Sequence, residues 1–339
     1  MANPMTLHRD EAAFRNLIVI TATARGMRQS FVEKDYWVTW VLRNLADSAL
    51  AEQVVFKGGT SLSKAYGLIE RFSEDVDLAV ILQPDQTDGM RKKLIRDIHK
   101  TAAGDLPEVE IPGSTSKWGH NRLVYHRYQH LFIDPAPATT EHILLEITAF
   151  GEPEPHSQRP LISYVGQQLL DQGQADIVQE YGLAAFDFNV LSLKRTFAEK
   201  IMALVRSSYE EDPVAETGRK VRHLYDLHQL ASQPEIVDLL AGQGLFQQLA
   251  AVQRDDAAAG ATGPTREWKT KPLSSCWAYA DEATNLQQLQ QPYEEDLPRL
   301  VHGTLPPFAQ VLHTMQEISS LLRIYDEQQA GAAQPEPQL

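Results

Sequence analysis

The chain has a single cysteine, Cys276, among its 339 residues, so it cannot form an intramolecular disulfide. Its first residues, Met1-Ala-Asn-Pro, lack the basic and then apolar pattern of a secretory signal. Long hydrophobic runs are also missing, since none approaches the ~20 residues that a membrane-spanning helix needs. These absences predict a cytoplasmic protein without a membrane partner.

Basic residues are scarce as well. The chain carries 31 Lys and Arg against 45 Asp and Glu, a formal net charge of −14. Because affinity for a nucleic-acid backbone comes largely from Lys and Arg, we expect no DNA binding from this chain. Residues 88–130 hold eight basic residues against five acids, which would form either a local basic patch or a solvated helix face. The 43% of hydrophobic residues suffices for a substantial core in one large or two modest domains.

The most informative segment reads Phe-Lys-Gly-Gly-Thr-Ser-Leu-Ser-Lys and begins at Phe56. The apolar residues before it predict a short buried strand, which Gly58 and Gly59 end where a side chain would block the close approach of a ligand. A helix beginning at Thr60 or Ser61 would point free backbone N–H groups and the positive end of its dipole at that ligand. The segment therefore predicts a phosphate-binding site.

Two carboxylates follow this segment. Asp75 and Asp77 alternate with Val76, Leu78 and Val80, which predicts a strand. Both carboxylates then leave the same face of that strand, roughly 7 Å apart at Cα. Two carboxylates facing a polyphosphate are hard oxygen ligands suited to Mg²⁺, which can bridge them to phosphate oxygens and activate an attacking hydroxyl.

Other charged residues occur in apolar surroundings. Glu146 lies in an otherwise apolar strand, where an unpaired charge is expensive, so it is a site residue, is paired with an Arg, or lies on an exposed edge. Lys34 and Asp35 follow a helix cap at Ser30, and we interpret them as a surface ion pair beside packed aromatics. The acidic segment 210–218 contains Pro and Gly and predicts a mobile loop.

Two further candidates lie on predicted helices of the C-terminal half. Small neighbours would leave the ammonium of Lys200 accessible, so that it could contact triphosphate oxygens, although an exposed helix lysine is commonplace. Asp226 would orient a basic residue or the incoming hydroxyl, or else form an i, i+4 ion pair with Arg222.

A Gly-Gly turn followed about fifteen residues later by a D-x-D strand is the signature of polymerase-beta-like nucleotidyltransferases. With Gly-Gly-Thr-Ser-Leu and Arg-Phe-Ser-Glu-Asp-Val-Asp-Leu, this chain resembles the AbiEii/AbiGii toxin family, which includes the MenT-type toxins. The resemblance covers roughly residues 30–230. Its other blocks are the Glu-Lys-Asp-Tyr-Trp helix, the Arg-Thr-Phe-Ala-Glu-Lys helix and the Arg-His-Leu-Tyr-Asp-Leu helix. D-x-D alone is weak, but the four blocks in this order are specific.

The resemblance implies an α/β fold of the α+β kind, with a nucleotidyltransferase core built on a mixed sheet and a mostly helical C-terminal domain. We expect N-terminal helices over 1–50, the core over 51–190, a helical domain that completes the active site over 191–328, and a disordered tail over 329–339. The family's activity implies transfer of a nucleotide from CTP or another NTP to the 3′ end of tRNA. It also implies a type IV toxin–antitoxin or abortive-infection role, with phage defence and an AbiEi-like winged-helix antitoxin.

The resemblance also assigns roles to single residues. The β- and γ-phosphates of an NTP would be bound by Gly58, Gly59, Thr60 and Ser61. Asp75, Asp77 and Glu146 would bind Mg²⁺ or Mn²⁺, and Glu146 would help to activate the acceptor hydroxyl. Lys200 would neutralise charge on the nucleotide, and Asp226 would orient a site residue.

Two alternatives stay open at this stage. The acceptor could be a protein Tyr, Ser or Thr hydroxyl, as in AMPylation, and the acidic net charge favours this reading. The chain could also be a non-catalytic module that binds a nucleotide or a partner. The joint presence of the glycine pair, the D-x-D carboxylates and Lys200 argues against the second alternative.

Overall fold

The structure is a computed structural model that describes residues 5–117, 121–133, 140–149, 151–258 and 268–332. The chain divides into two compact units, Met1–Ser192 and Leu193–Leu339. The helices of residues 1–50 belong to the same unit as the sheet.

Seven strands in the described residues form one mixed sheet, in the order β3-β4-β5-β2-β1-β7-β6. The pairs β1/β7 and β2/β5 are parallel, and the other neighbours are antiparallel. This sheet, with the helical second unit, confirms the predicted fold class. The strands are β1 (Val54–Lys57), β2 (Val76–Val80), β3 (Glu108–Val109), β4 (Asn121–Arg127), β5 (His142–Thr148), β6 (His156–Leu161) and β7 (Phe186–Leu191).

The central strands β1, β2 and β5 are apolar because their residues are buried in the core of the first unit. Val54, Val55 and Phe56 are fully buried, as are Leu78 and Leu145. Strand β6 was not predicted, because Pro160 lies within it. A proline fits there because β6 is an edge strand, where a missing backbone N–H costs no ladder hydrogen bond.

Helices cover the sheet of the first unit. Helix α2 is buried along most of its length, and its Tyr36 and Trp37 lie within aromatic contact distance of Phe14 on α1. The helices of this unit are α1 (Glu11–Arg25), α2 (Gln29–Ala46), α3 (Gly58–Lys64), α4 (Asp88–Ala103), α5 (Tyr164–Asp171) and α6 (Ala175–Glu180), with 3₁₀ turns at Leu7–Arg9 and Ala51–Gln53.

The described helices of the second unit are joined by short turns and irregular segments. Its α-helices are α7 (Leu193–Ser207), α8 (Pro213–Arg219), α9 (Val221–Ala231), α10 (Pro234–Ala241), α11 (Gly244–Ala258), α12 (Trp277–Ala280), α13 (Glu282–Asn285), α14 (Gln290–Glu295) and α15 (Phe308–Ala332). Its 3₁₀ turns are Leu273–Ser275, Leu286–Leu289 and Leu297–Arg299. In the described part of the chain, no helix combines the length and the apolar character needed to cross a membrane.

Two expectations about this unit need correction. Most of segment 210–218 is not a loop, since α8 covers Pro213–Arg219 with Asp212 as its N-cap and Pro213 at the start of the first turn. Helix α15 continues to Ala332, so residues 329–332 are helical rather than part of a disordered tail. Residues 333–339 of the expected tail lie outside the described residues.

Candidate active site

Three charged residues lie side by side on neighbouring strands. Lys57 at the end of β1 pairs in register with Asp77 on β2, and Asp77 pairs in register with Glu146 on β5. Residues that are paired across neighbouring strands point to the same face of the sheet. The topology therefore lines up one ammonium and two carboxylates on one face, in the middle of the sheet.

The glycine turn lies directly against this row. Gly58 has a φ of +79°, and a Cβ at this position would overlap the carboxylate of Asp77. A Cβ on Gly59 would lie 2.7 Å from a guanidinium nitrogen of Arg71 and 3.0 Å from the hydroxyl of Ser73. Only glycine allows the backbone to approach these side chains so closely. Helix α3 begins at Gly58 itself, not at Thr60 or Ser61 as we expected.

Asp75 precedes the first residue of β2, two residues before Asp77. Burial raises the pKa of Glu146, the Lys57 ammonium opposes this shift, and the negative charge of Asp75 adds to it. The Glu146 carboxyl therefore lies within electrostatic range of both charges. Strand β5 is an interior strand, which excludes the interpretation of Glu146 as an exposed-edge residue.

The donor set suits a hard divalent cation. Asp75, Asp77 and Glu146 offer carboxylate oxygens, which Mg²⁺ and Mn²⁺ prefer, and Asp77 lies beside the glycine turn where a phosphate can approach. Over the described ranges, no group of three or more His, Cys, Asp or Glu side chains is arranged so that it could hold a metal ion. The chemistry of the donors thus fits Mg²⁺, although the three carboxylates are not arranged around a common point in this structure.

Residues of the turn are fixed by a small polar network. The hydroxyl of Thr60 lies 2.9 Å from that of Ser73 and donates to it, and the hydroxyl of Ser61 donates to the carbonyl of Gly58 at 2.8 Å. Arg71 is 1% exposed and donates to the carbonyl of Phe72 at 3.2 Å. Thr60 and Ser61 therefore serve the geometry of the turn, in addition to any contact with a ligand.

Lys200 and Asp226 lie together in the second unit. Lys200 Nζ donates to Asp226 Oδ2 at 2.5 Å, and the two side chains are 5% and 0% exposed. Our expectation that small neighbours would leave this ammonium accessible was wrong, because α7 and α9 pack around it. Asp226 accepts this hydrogen bond from the basic residue Lys200, which is one of the three roles that we considered for it.

The interpretation of Lys34 and Asp35 as a surface ion pair was also wrong. Both are buried, and each pairs with a residue next to the site: Lys34 with Glu74, and Asp35 with Lys64 at 2.5 Å. Sequence reasoning missed Lys57, Glu74 and Lys64 as well. The sequence did contain a signal for the burial of Lys34 and Asp35. A run of charges flanked on both sides by apolar residues indicates buried and paired side chains.

A Gly-Gly turn that contacts the second carboxylate of a D-x-D strand, with a third acid on the neighbouring parallel strand, is the arrangement of a nucleotidyltransferase. The model of the family "Nucleotidyl transferase AbiEii toxin, Type IV TA system" matches residues 40–314 of this chain. The chain belongs to the AbiEii family of nucleotidyltransferase toxins, as its sequence predicted. A type IV system pairs its toxin with an antitoxin, so membership of the family implies an antitoxin partner. Nucleotidyl transfer implies an NTP substrate.

Among solved structures, the fold is similar to that of MenT4, nucleotidyltransferase toxin Rv2826c from Mycobacterium tuberculosis H37Rv. The TM-score is 0.52, the sequence identity is 20%, and the match covers 94% of each chain. At this identity the likeness establishes the fold. A search of curated protein sequences returned no significant match.

Proposed function

We propose that this protein transfers a nucleoside monophosphate from an NTP to the 3′ end of tRNA and thereby blocks translation. The acceptor 3′-hydroxyl attacks the α-phosphorus, the bond between the α- and β-phosphates breaks, and pyrophosphate leaves. The observation that carries the proposal is the contact between the Gly58 turn and the carboxylate of Asp77, which lies in register with Glu146. This places candidate phosphate-binding backbone beside candidate metal ligands, as phosphoryl-transfer chemistry requires.

The roles of the residues follow from their charges and positions. The turn from Gly58 to Ser61 binds the β- and γ-phosphates through its backbone N–H groups. Asp75, Asp77 and Glu146 would hold Mg²⁺ or Mn²⁺, which would supply charge compensation for the phosphates and activate the attacking hydroxyl. Lys57 offsets the negative charge of the acids beside it. Most of the rate enhancement then comes from positioning and charge compensation.

Lys200 and Asp226 act as a unit in this proposal. The ammonium of Lys200 neutralises charge on the nucleotide, and Asp226 fixes its orientation through the 2.5 Å hydrogen bond. The family resemblance supports the role of Lys200, and the ion pair supports the positioning role of Asp226.

The proposed partner is an AbiEi-like winged-helix antitoxin encoded by a neighbouring gene. The proposed setting is the cytoplasm, where the toxin acts in abortive infection against phage. Membership of a family whose model describes a type IV toxin–antitoxin system supports this proposal.

The test is a transfer assay with purified protein, Mg²⁺ and each of the four labelled NTPs, with whole-cell RNA in one arm and whole-cell protein in the other. We expect label in the tRNA fraction and dependence on Mg²⁺. Label in the protein arm instead would favour AMPylation-type chemistry, which the net charge of −14 also suits. Mg²⁺-dependent NTP binding without product in either arm would identify a non-catalytic module.

The matching variant is Asp77→Asn, which keeps the size of the side chain but removes its charge. We expect transfer to fall by orders of magnitude while the unfolding transition stays close to that of the wild type. The charge that is removed lies between Glu146, which it repels, and Lys57, which it attracts, so the two effects on stability oppose each other. Wild-type transfer by Asp77→Asn would refute the assignment.

A further inference from the structure

Helix α2 buries three consecutive charged residues. Glu33, Lys34 and Asp35 are 0%, 0% and 4% exposed. Burying a charge is costly unless it is paired and hydrogen-bonded, so each of these side chains needs partners. The partners lie on several segments of the first unit, and two of them, Glu74 and Lys64, belong to the segments that carry the candidate active site.

Lys34 binds the segment that leads into β2. Its Nζ donates to the carboxylate of Glu74, to the carbonyl of Thr140 at 2.7 Å and to the hydroxyl of Thr140 at 2.9 Å. Glu74 also accepts from the backbone N–H of Thr140 at 2.9 Å. Glu74 precedes Asp75 directly, and the negative charge of Asp75 also acts on Lys34, since it opposes the lowering of the Lys34 pKa by burial. Through Glu74, Lys34 therefore fixes the position of the backbone next to Asp75.

Asp35 binds the other segment of the site. Its Oδ1 accepts from Lys64 Nζ at 2.5 Å, and its Oδ2 accepts from the backbone N–H of Tyr164 at 2.8 Å. Lys64 donates in addition to the carbonyl of Ile162 at 3.3 Å. Lys64 is the last residue of α3, the helix that begins at Gly58. Asp35 therefore fixes the far end of the helix that carries the glycine turn.

Adjacent residues on a helix leave it about 100° apart, so one rigid helix can reach two segments that are distant in sequence. We propose that Lys34 and Asp35 are positioning residues, which act through Glu74 and Lys64 to hold Asp75 and the Gly58–Gly59 turn in a fixed mutual arrangement. This inference rests on the proposed nucleotidyltransferase function. Misplacement of a reacting group by about 1 Å can cost on the order of 100-fold in rate, so loss of either pair is expected to be visible in the kinetics.

The two pairs predict different kinetic defects. Glu74→Gln keeps the size of the side chain but weakens the hold on the backbone before Asp75. It should lower kcat about 100-fold and change the KM for NTP little, because Asp75 serves the chemical step. Asp35→Asn weakens the hold on α3 and should mainly raise the KM for NTP, because the turn binds the phosphates.

A matched control lies on the same helix. Arg43 is 3% exposed, donates to Asp47 at 2.8 Å and to the carbonyl of Ala184 at 3.1 Å, and contacts neither site segment through these bonds. Arg43→Met removes a buried, paired charge from α2 just as Lys34→Met does. It should reduce stability while kcat and KM stay within about twofold of the wild type.

The experiment measures chemical unfolding, kcat and KM for all four variants, with the acceptor that the wild type labels. A double variant, Lys34→Met with Glu74→Gln, should lose no more activity than the worse single variant, because both changes break one interaction. If Lys34→Met fails to fold, Glu74→Gln carries the test, since its side chain is 19% exposed.

The outcomes separate the two claims. An active wild type with Glu74→Gln and Asp35→Asn no more impaired than Arg43→Met would overturn the positioning role and leave the proposed function standing. A wild type that transfers nucleotide to no acceptor would remove the proposed function and this inference with it.

Discussion

At the scale of the residue, Gly58 is constrained in two ways. Its φ of +79° is a left-handed conformation that other residues rarely adopt, and the space beside its Cα is filled by the carboxylate of Asp77. The two constraints have different origins, one in the backbone and one in the site. They can be separated because Gly67 has a similar φ of +64° but open space around it.

We therefore expect Gly58→Ala to abolish transfer, because the new methyl group displaces the Asp77 carboxylate. Gly67→Ala should cost only the backbone strain of a left-handed residue, about 1–2 kcal/mol in unfolding free energy, and should keep its activity. Denaturant unfolding and the transfer assay check both variants. Equal activity of the two alanine variants would show that close packing against Asp77 does not matter.

Glu33 is a second residue with a measurable signature. Its carboxylate accepts from the backbone N–H groups of Leu131 and Phe132, at 2.7 and 3.3 Å. Burial raises its pKa to about 7, against the opposing effect of these two hydrogen bonds. A raised pKa in the folded state means that the folded protein binds the proton more tightly than the unfolded chain does. The resulting stability is complete below the unfolded pKa of about 4.5 and is lost as pH rises through 7.

Glu33→Gln should remove this pH dependence. Between pH 4.5 and 8 we expect the unfolding free energy of the wild type to fall relative to that of Glu33→Gln by up to about 3 kcal/mol. The amide makes poorer contacts with the two N–H groups, which adds an offset that does not vary with pH. Denaturant titrations at several pH values measure the slope, with the exposed substitution Glu11→Gln as the control. Parallel pH curves for wild type and Glu33→Gln would contradict the assignment.

At the scale of the element, the pair of helices α7 and α9 depends on the ion pair between Lys200 and Asp226. Both side chains are buried, so removal of one takes a charged partner away from the other inside the protein. We expect Asp226→Asn to destabilise the protein by about 3–5 kcal/mol, and the double variant Lys200→Met with Asp226→Leu to be more stable than Asp226→Asn.

Thermal or denaturant unfolding tests this expectation, with Asp97→Asn as the control. Asp97 pairs with Lys93 on α4, where the two side chains are 39% and 71% exposed, and such exposed pairs contribute little. Additive effects of the single changes at 200 and 226 would argue against a coupled pair.

Also at this scale, local sequence patterns predicted the strands that carry the site. They did not predict features that depend on contacts between residues far apart in the sequence. The alternation around Asp75 and Asp77 placed β2 within one residue, because strand periodicity is local. The burial of Lys34 and Asp35 depends on partners 29 to 129 residues away, which no local pattern contains. Helix α8 was missed despite its Asp-Pro start, because an acidic segment with Pro and Gly also fits a loop.

At the scale of the whole molecule, the net charge limits the electrostatic contribution to the protein's affinity for RNA. The charge is −14, and several basic residues of segment 88–130 are committed to ion pairs within that segment. The pairs are Lys92–Asp88, Lys93–Asp97, Lys117–Glu108 and Arg122–Glu108. Four of the eight basic residues of this segment are therefore paired with acids, which reduces the positive charge that the segment offers to a nucleic-acid backbone.

We therefore expect the KM for tRNA to rise less than about tenfold between 50 and 200 mM salt, because few phosphate contacts are made. A protein with six to ten such contacts loses about 10³–10⁵ in affinity over the same range. A salt series of the transfer assay measures the slope, with the KM for NTP recorded alongside as the reference. A steep slope for tRNA would show that a basic surface forms despite these ion pairs.

The two edge strands of the sheet affect whether copies of the toxin can pair with one another. Strand β3 is only two residues long, and β6 carries Pro160, which offers no backbone N–H to a visiting strand. Borders of this kind give a foreign strand little to pair with and so discourage chains from joining sheet to sheet. The two border strands therefore discourage self-association of the toxin through its sheet.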